Sequence, residues 1–348
     1  MTDRTLRVLS IDGGGVRAHL AALVLADLEH RAGRLATELF DLVVGTSTGG
    51  VIGMGVAVGI PAAELADFFP RCGERIFAQG KGWGGLEQKL DQSSKSLGAL
   101  LGGAAGGPRH RPDGLVAVLR DVFGDARLAQ VALPLAVTAF DRATSAPVVL
   151  ASRDAVIDPD FDLPLVDVAR ATTAAAQVFP PLLTRWAGAE HSFSDGGVWA
   201  NNPAGVALSE AVAASSIGPV MVSLGTGAAP GTSMAELNRT WLGRADDPAT
   251  MAGTVWSGEV LARRALPPSR FHRFQVVDRR VAGAMDDASP ARLAALSSAA
   301  ADFVSARAAE LDSAAAMLTV GTGQKPSPTR ATAAGWYESG TVPNAYLS

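Results

Sequence analysis

The chain has 348 residues, 48% of them hydrophobic and 18% charged, with a formal net charge of −4. That length and apolar content suit one large α/β domain, or one domain with a cap, and the weakly acidic balance excludes the basic footprint of a nucleic-acid binder. A single cysteine, Cys72, excludes an intrachain disulfide framework and a cysteine metal cluster; in its helical-looking stretch it reads as a small buried hydrophobe.

The first predicted element is a strand, Arg7 to Ile11, ending in Asp12-Gly13-Gly14-Gly15. The N-terminus runs straight into it with no charged and then apolar leader, which reads as a cytoplasmic protein. From Val16 to Arg31, Leu20, Leu23, Val24 and Leu28 recur at helical spacing. Phe40 to Gly55 repeats the order strand, glycine turn, helix. Val43 to Ile60 carries no charge and resembles a membrane span in hydropathy, but its glycines and β-branched start read as a buried strand and a core helix. Repeated βα units predict an α/β fold, a mostly parallel sheet with helices on both faces and ligands at the C-terminal strand ends.

Pro61 to Phe77 reads as a helix with Pro61 in its first turn. Gln79 to Arg111, rich in Gly, Ser and Lys, reads as a flexible insertion or lid. Asp113 to Phe123 is a predicted helix with Asp113 as N-cap. Leu133 to Phe140 and Pro147 to Leu150 are predicted strands around a turn at Asp141 to Ser145. A helix from Leu163 to Ala176 stops before Pro180-Pro181. A short strand, His191 to Phe193, ends at Ser194-Asp195-Gly196-Gly197, and Asn201-Asn202-Pro203 opens a helix to Ala214. Val220 to Leu224 is a strand ending in Gly225-Thr226-Gly227. Beyond it the pattern predicts helices around Met234–Leu242 and Ala249–Arg264, a strand over Phe271–Val277, a helical region from Ala291 to Val320 and a loosely ordered tail from Gly321.

Gly45-Thr46-Ser47-Thr48-Gly49 is a G-x-S-x-G sequence on a strand-to-helix turn. Such a turn pushes the serine hydroxyl out of the sheet, and the helix N-terminus behind it favours developing negative charge. A nucleophile needs a base and an oxyanion site. Asp195, at a strand end before two glycines, is the candidate base, expected at the C-terminal edge of the sheet. Asp41 stands at the far end of the Ser47 strand and is discounted. Asp12 is expected to order the first glycine loop by accepting backbone N–H bonds. Gly13, Gly14 and Gly15 form a predicted anion-binding nest, suited to a phosphate or an oxyanion, with Arg17 beside it to neutralise charge. Gly13, Gly15 and Ala18 also fit a dinucleotide loop, with Glu38 or Asp41 as its acidic partner, but that reading leaves Ser47 and Asp195 without a role. Of the five histidines, His191 lies about 13 Å from Asp195 along a strand, too far to share its proton. His19, one helical step past the glycine loop, is expected to line the pocket.

Asp12-Gly13-Gly14-Gly15-Val16-Arg17, Gly45-Thr46-Ser47-Thr48-Gly49 and Asp195-Gly196-Gly197 resemble the three signature blocks of the patatin-like phospholipases. ARATTAAAQVFPP (Ala169 to Pro181), GGVWANNPA (Gly196 to Ala204) and VSLGTG (Val222 to Gly227) are similar to that family's flanking words. The likeness runs from about Arg7 to about Gly227; the region beyond carries no family signature. It implies a three-layer α/β/α sandwich; together with the element pattern, residues 1–285 are expected to form the catalytic domain, with 79–111 as a flexible insertion or lid and 286–348 as a helical C-terminal extension packed on it. It implies a Ser–Asp dyad, with Ser47 as nucleophile, Asp195 as base, the N–H groups of Gly13, Gly14 and Gly15 as oxyanion hole and Arg17 next to it; His19, Thr46 and Thr48, beside these motifs, are expected as further auxiliary or substrate-binding positions.

The activity implied is hydrolysis of acyl esters of phospholipids or related lipids through an acyl-enzyme, with no metal and no cofactor. The same dyad serves an acyltransferase, thioesterase or other esterase, and a non-catalytic lipid- or nucleotide-binding module is the alternative of another class. Membrane contact is expected to be peripheral, at the Gln79–Arg111 insertion with Lys81, Trp83, Lys89, Lys95 and Arg109. One departure stands out: the family block usually continues Arg-Gly, and here it is Arg17-Ala18-His19, a methyl and an imidazole expected to narrow or polarise the pocket.

Overall fold

The structure, a computed structural model, describes residues 4–77, 108–176, 178–231 and 254–320. Most of the Gln79–Arg111 insertion, including Lys81, Trp83, Lys89 and Lys95, the helix expected at Met234–Leu242 and the tail from Gly321 lie outside the described residues.

Strand β1 (Arg7–Ile11) leads through a 3-10 turn into α1 (Ala18–Ala32), followed by α2 (Ala36–Leu39), β2 (Leu42–Thr46), α3 (Thr48–Ala57), α4 (Ala62–Ala66) and α5 (Phe68–Ile76). Then come α6 (Pro112–Phe123), the hairpin β3 (Leu135–Asp141) and β4 (Ala146–Ala151), α7 (Ser152–Ile157), α8 (Leu165–Thr173) and a second hairpin, β5 (Leu182–Trp186) and β6 (Ala189–Asp195). The chain continues through α9 (Gly197–Ala200), α10 (Ala204–Ala214), β7 (Val220–Leu224), α11 (Thr254–Ala265), β8 (Phe271–Phe274), α12 (Pro290–Ala306) and α13 (Ala308–Thr319). The charge-free run from Val43 is thus β2 followed by α3, and among the described residues no helix is long and apolar enough to cross a membrane. Two helices expected as single pieces are broken, at Asp67 and at Arg307. Asp113 is not the N-cap of α6: Arg111 holds that place, Pro112 takes the first helical position, and Asp113 lies in the first turn.

Strands β3, β2, β1, β7 and β8 pair in parallel, while β4, β5 and β6 enter antiparallel pairings. Alternate side chains of the parallel strands go to opposite faces, as strand geometry demands. Leu9, Val43, Val137 and Val222 join one core with α1, α3 and the C-terminal helices, through Leu296 and Leu311 among others. Val8, Val44, Ala136 and Met221 join a second core with α10 and Ala262 of α11. The result is three layers, helix on sheet on helix.

One feature of the pairing positions the site. A strand has two hydrogen-bonding edges, and β4 occupies one edge of β3 from Ala136 to Asp141. The other edge therefore carries two strands: β2 opposite Leu135–Thr138, and β6 opposite Ala139–Asp141. They run toward each other and meet tip to tip, with Thr46 facing Thr138 and Asp195 facing Ala139. Asp195 does stand at the C-terminal edge of the parallel strands, but it arrives from the opposite direction, on an antiparallel strand.

The helices beside α1 hang on one carboxylate. Glu29 accepts the first N–H of α2, at Ala36 (2.7 Å), on one oxygen and the first N–H of α4, at Ala62 (2.9 Å), on the other. Helix N-termini leave such donors without partners, and a carboxylate there also meets the positive end of the helix dipole. Glu29→Ala is expected to cost about 2 kcal/mol of stability. A lower urea midpoint with an unchanged m-value is the readout.

Candidate active site

Ser47 stands between β2 and α3 with φ 54° and ψ −130°. A non-glycine residue there stores on the order of 1–3 kcal/mol of strain and persists only when its surroundings hold it. The turn also needs glycine two residues on: a Cβ on Gly49 would lie 2.3 Å from the Asp12 carbonyl oxygen. That close approach sets the Ser47 turn against the end of β1, where the glycine loop begins.

The Ser47 hydroxyl donates to Asp195 Oδ2 at 2.7 Å. The other carboxylate oxygen accepts the Gly197 N–H at 2.7 Å, and the Asp195 N–H donates to Ala174 O at 3.1 Å. Ser47 is 4% exposed and Asp195 1%. Burial pushes the Asp195 carboxyl up to about 7, against the opposing pull of the Ser47 and Gly197 bonds. A base poised near neutrality suits proton transfer from a hydroxyl. His191 takes no part: its Nδ1 bonds Asp141 Oδ2 at 3.0 Å and its ring stacks on Phe193.

The glycine loop departs from expectation at its first residue. The Gly13 N–H donates to Asn201 O at 2.9 Å and its carbonyl accepts from Thr226 Oγ1 at 2.8 Å, so Gly13 brings no free donor. A trans peptide points its C=O and the next N–H in opposite directions. Thr226 thereby turns the Gly14 N–H away from itself. Among the described residues neither the Gly14 nor the Gly15 N–H has an acceptor. Gly15, at φ 57°, lies under Met285, whose carbonyl a Cβ would approach to 2.3 Å. The same carbonyl accepts the Val16 N–H at 2.7 Å. Arg17 is buried with a guanidinium nitrogen 3.6 Å from Met285 Sδ. Burial, then the neighbouring Arg292, pushes its pKa down to about 10, which leaves it charged at neutral pH.

Other expected residues are placed elsewhere. Asp12 orders the loop not through backbone N–H groups but through a forked pair with Arg273 of β8, at 2.9 and 2.5 Å. The His19 ring is tied at Nδ1 to Ala66 O (2.9 Å) and at Nε2 to Ser297 Oγ (2.8 Å), so it pins α1 to its neighbours and has no nitrogen left for a substrate. Thr46 is fully buried, donating to Ala200 O at 2.6 Å and lying 2.7 Å from Thr138 Oγ1; it braces the turn from behind. The half-buried Thr48 has a hydroxyl with no partner among the described residues. The acidic residues of the dinucleotide reading are occupied: Asp41 pairs with Arg7 at 3.0 Å, and Glu38 accepts the Leu35 N–H at 3.1 Å. Among the described residues no three His, Cys, Asp or Glu side chains stand close enough together to share a metal ion.

Residue spacing gave no hint of Arg273 or Met285, which come from the region without a signature. Thr172, whose hydroxyl accepts the Ser47 N–H at 2.7 Å, lies inside the ARATTAAAQVFPP word, where nothing local sets it apart from Thr173.

A family profile described as "Patatin-like phospholipase" matches residues 9–208. Patatin-like protein 1 of Arabidopsis thaliana is 32% identical over 219 residues, which cover 58% of this chain and 50% of that protein. A protein named cGAMP-activated phospholipase from Pseudomonas aeruginosa is 35% identical over 200 residues, 57% of this chain and 54% of that one. Patatin-15 of Solanum tuberosum is 28% identical over 243 residues, 64% and 57% of the two chains. The chain spans about half the length of the curated relatives it matches.

Proposed function

The chain belongs to the patatin-like phospholipase family, and from that premise we propose that it is a lipid acyl hydrolase working through Ser47 and Asp195. The observation that carries this reading is the 2.7 Å hydrogen bond from the Ser47 hydroxyl to a buried carboxylate, made on a strained turn at a helix N-terminus.

In this mechanism Asp195 Oδ2 takes the hydroxyl proton as Ser47 Oγ attacks the acyl carbonyl carbon. The carbonyl electrons move to oxygen, and the oxyanion is held by the Gly14 and Gly15 N–H groups, whose orientation is preset by Thr226 and Met285. Collapse of the intermediate expels the alcohol oxygen, which takes the proton from Asp195, and leaves the acyl group on Ser47. Water, deprotonated by Asp195, attacks that ester; the fatty acid leaves and Ser47 regains its proton. The buried charge of Arg17 adds positive potential behind the loop. The substrate class is acyl esters of phospholipids or related lipids, met at a lipid surface by peripheral contact.

The test is fluorophosphonate labelling of the intact protein read by mass spectrometry, followed by assay of fatty-acid release from phosphatidylcholine vesicles and from triacylglycerol emulsion. One adduct on Ser47, absent from Ser47→Ala, together with released fatty acid, is the expected result. Folded protein that neither labels at Ser47 nor releases fatty acid would overturn the reading.

A further inference from the structure

The β2–β3 ladder contains a substituted rung. Val43 lies opposite Leu135, and its N–H donates to Pro134 O at 2.9 Å. A parallel ladder repeats that bond at every second residue. Gly45 N–H to Ala136 O is the next rung, and Ser47 N–H to Thr138 O is the one due after it. That last bond is not made directly, because at Ser47 the backbone turns to φ 54° and leaves the sheet. The Ser47 N–H instead donates to Thr172 Oγ1 at 2.7 Å, and the Thr172 hydroxyl donates to Thr138 O at 2.7 Å. A side-chain hydroxyl from α8 thus stands in the ladder as a spacer one oxygen wide.

We propose that Thr172 is a positioning residue for the dyad: its inserted hydroxyl sets how far the Ser47 backbone stands off β3, and with it the distance from Ser47 to Asp195. The proposal rests on the dyad reading and adds to it the group that holds the geometry.

Four observations carry it. Thr172 is 0% exposed, so no water competes for its hydroxyl. The direction of its two bonds is unambiguous, since a backbone N–H can only donate and a carbonyl can only accept. Thr138 belongs to both halves of the site: Thr46 faces it across the ladder, the next residue, Ala139, faces Asp195, and a Cβ on Gly196 would sit 2.2 Å from Thr138 Oγ1. Thr172 therefore fixes Ser47 to the same point of β3 against which the Asp195 strand ends. Lastly, Thr173 next to it does something ordinary: its hydroxyl donates to Ala169 O within its own helix, at 2.7 Å. One of two adjacent threonines bonds locally and the other bridges to the nucleophile.

The experiment compares Thr172→Val, Thr172→Ala and Thr172→Ser. Valine keeps the shape and removes the hydroxyl. Alanine and serine both lack the methyl and differ only in the hydroxyl, so that pair decides the matter should the valine variant fail to fold. The readouts are the second-order rate constant for fluorophosphonate labelling at Ser47 and the kcat and KM for p-nitrophenyl butyrate. Small displacements of a reacting atom cost up to about 100-fold in rate. Thr172→Ala is expected to label about 30-fold more slowly than Thr172→Ser, with the loss in kcat and KM little changed. Thr172→Val should resemble alanine, and Thr173→Val should stay close to wild type. The acid limb of the pH profile should also move up in the alanine variant, because a loosened Ser47 no longer helps Asp195 to ionise. A merely structural loss would instead lower the titre of labelled sites equally at every pH. Equal rates for Thr172→Ala and Thr172→Ser, or an equal loss in Thr173→Val, would overturn the positioning role while leaving the dyad standing. A wild-type protein that does not label would remove the dyad reading itself and the proposal with it.

Discussion

Asp195→Asn is expected to lose at least about 1,000-fold in kcat/KM on an ester substrate while folding normally. Asparagine fits the site without a clash but reverses one bond. Its single oxygen is claimed by the Gly197 N–H, which Asp195 Oδ1 accepts at 2.7 Å. Its amide nitrogen then faces Ser47 and donates to Oγ, where the carboxylate had accepted. The serine proton is left pointing away from any base, and the attacking oxygen keeps it. Ser47→Ala should lose as much by removing the nucleophile outright. The two losses should not add, since either change alone dismantles the same unit. Circular dichroism and a cooperative unfolding transition establish that each variant is folded. An Asp195→Asn variant working near the wild-type rate would mean that another group takes the proton.

What was legible in the sequence follows from what short-range chemistry writes there. Ser47 shows itself because a strand-to-helix elbow with positive φ needs glycine on both sides, and Gly49 has the Asp12 carbonyl against its Cα. Asp195 shows itself through the two glycines that let α9 start at once. The direction of its strand does not show. β5 is masked by Pro180-Pro181 on one side, and on the other its hairpin turns through Ala187 and Gly188 at φ 48° and 77°. An alanine in the left-handed region gives no turn signal of the kind Asn-Gly gives. The ring partners of His19 are not legible because helical period reports a face and not its neighbours: Ala66 and Ser297, which hold the ring, come from helices far along the chain. The bonded N–H of Gly13 is hidden from the sequence for a related reason. A glycine triplet announces free N–H groups, and only the fold brings up Asn201 to take one of them. The braces on the glycine loop, Arg273 and Met285, are long-range partners of residues that were themselves identified, and no local pattern ties the two ends together.

The acyl hydrolase activity proposed here should fall about 100-fold between pH 8 and pH 5, while the stability of the protein moves the other way. Both effects come from one proton. In the proposed mechanism Asp195 serves as base only when ionised, and burial has pushed its carboxyl up to about 7. Well below that value each unit of pH removes ten-fold of the active form, so log kcat/KM should rise with unit slope and level off above about pH 7. The stability sign is opposite because the folded state binds this proton more tightly than the unfolded chain does. As pH rises from the ordinary carboxylate range to about 7, the unfolded chain ionises freely while Asp195 in its buried site resists. The contribution of the protonated carboxyl is fully present below the ordinary range and is lost as pH passes through about 7, a change on the order of 4 kcal/mol. Asp195→Asn cannot ionise and escapes that loss. Its stability advantage over wild type should be smallest near pH 4, grow with pH and reach a plateau above pH 7. Urea midpoints for the two proteins across that range, plotted beside the pH–rate profile, test both signs at once. A gap in stability that does not change with pH would show that Asp195 ionises as readily in the folded protein as in the unfolded one, and the proposed mechanism would then have no raised-pKa base at Ser47.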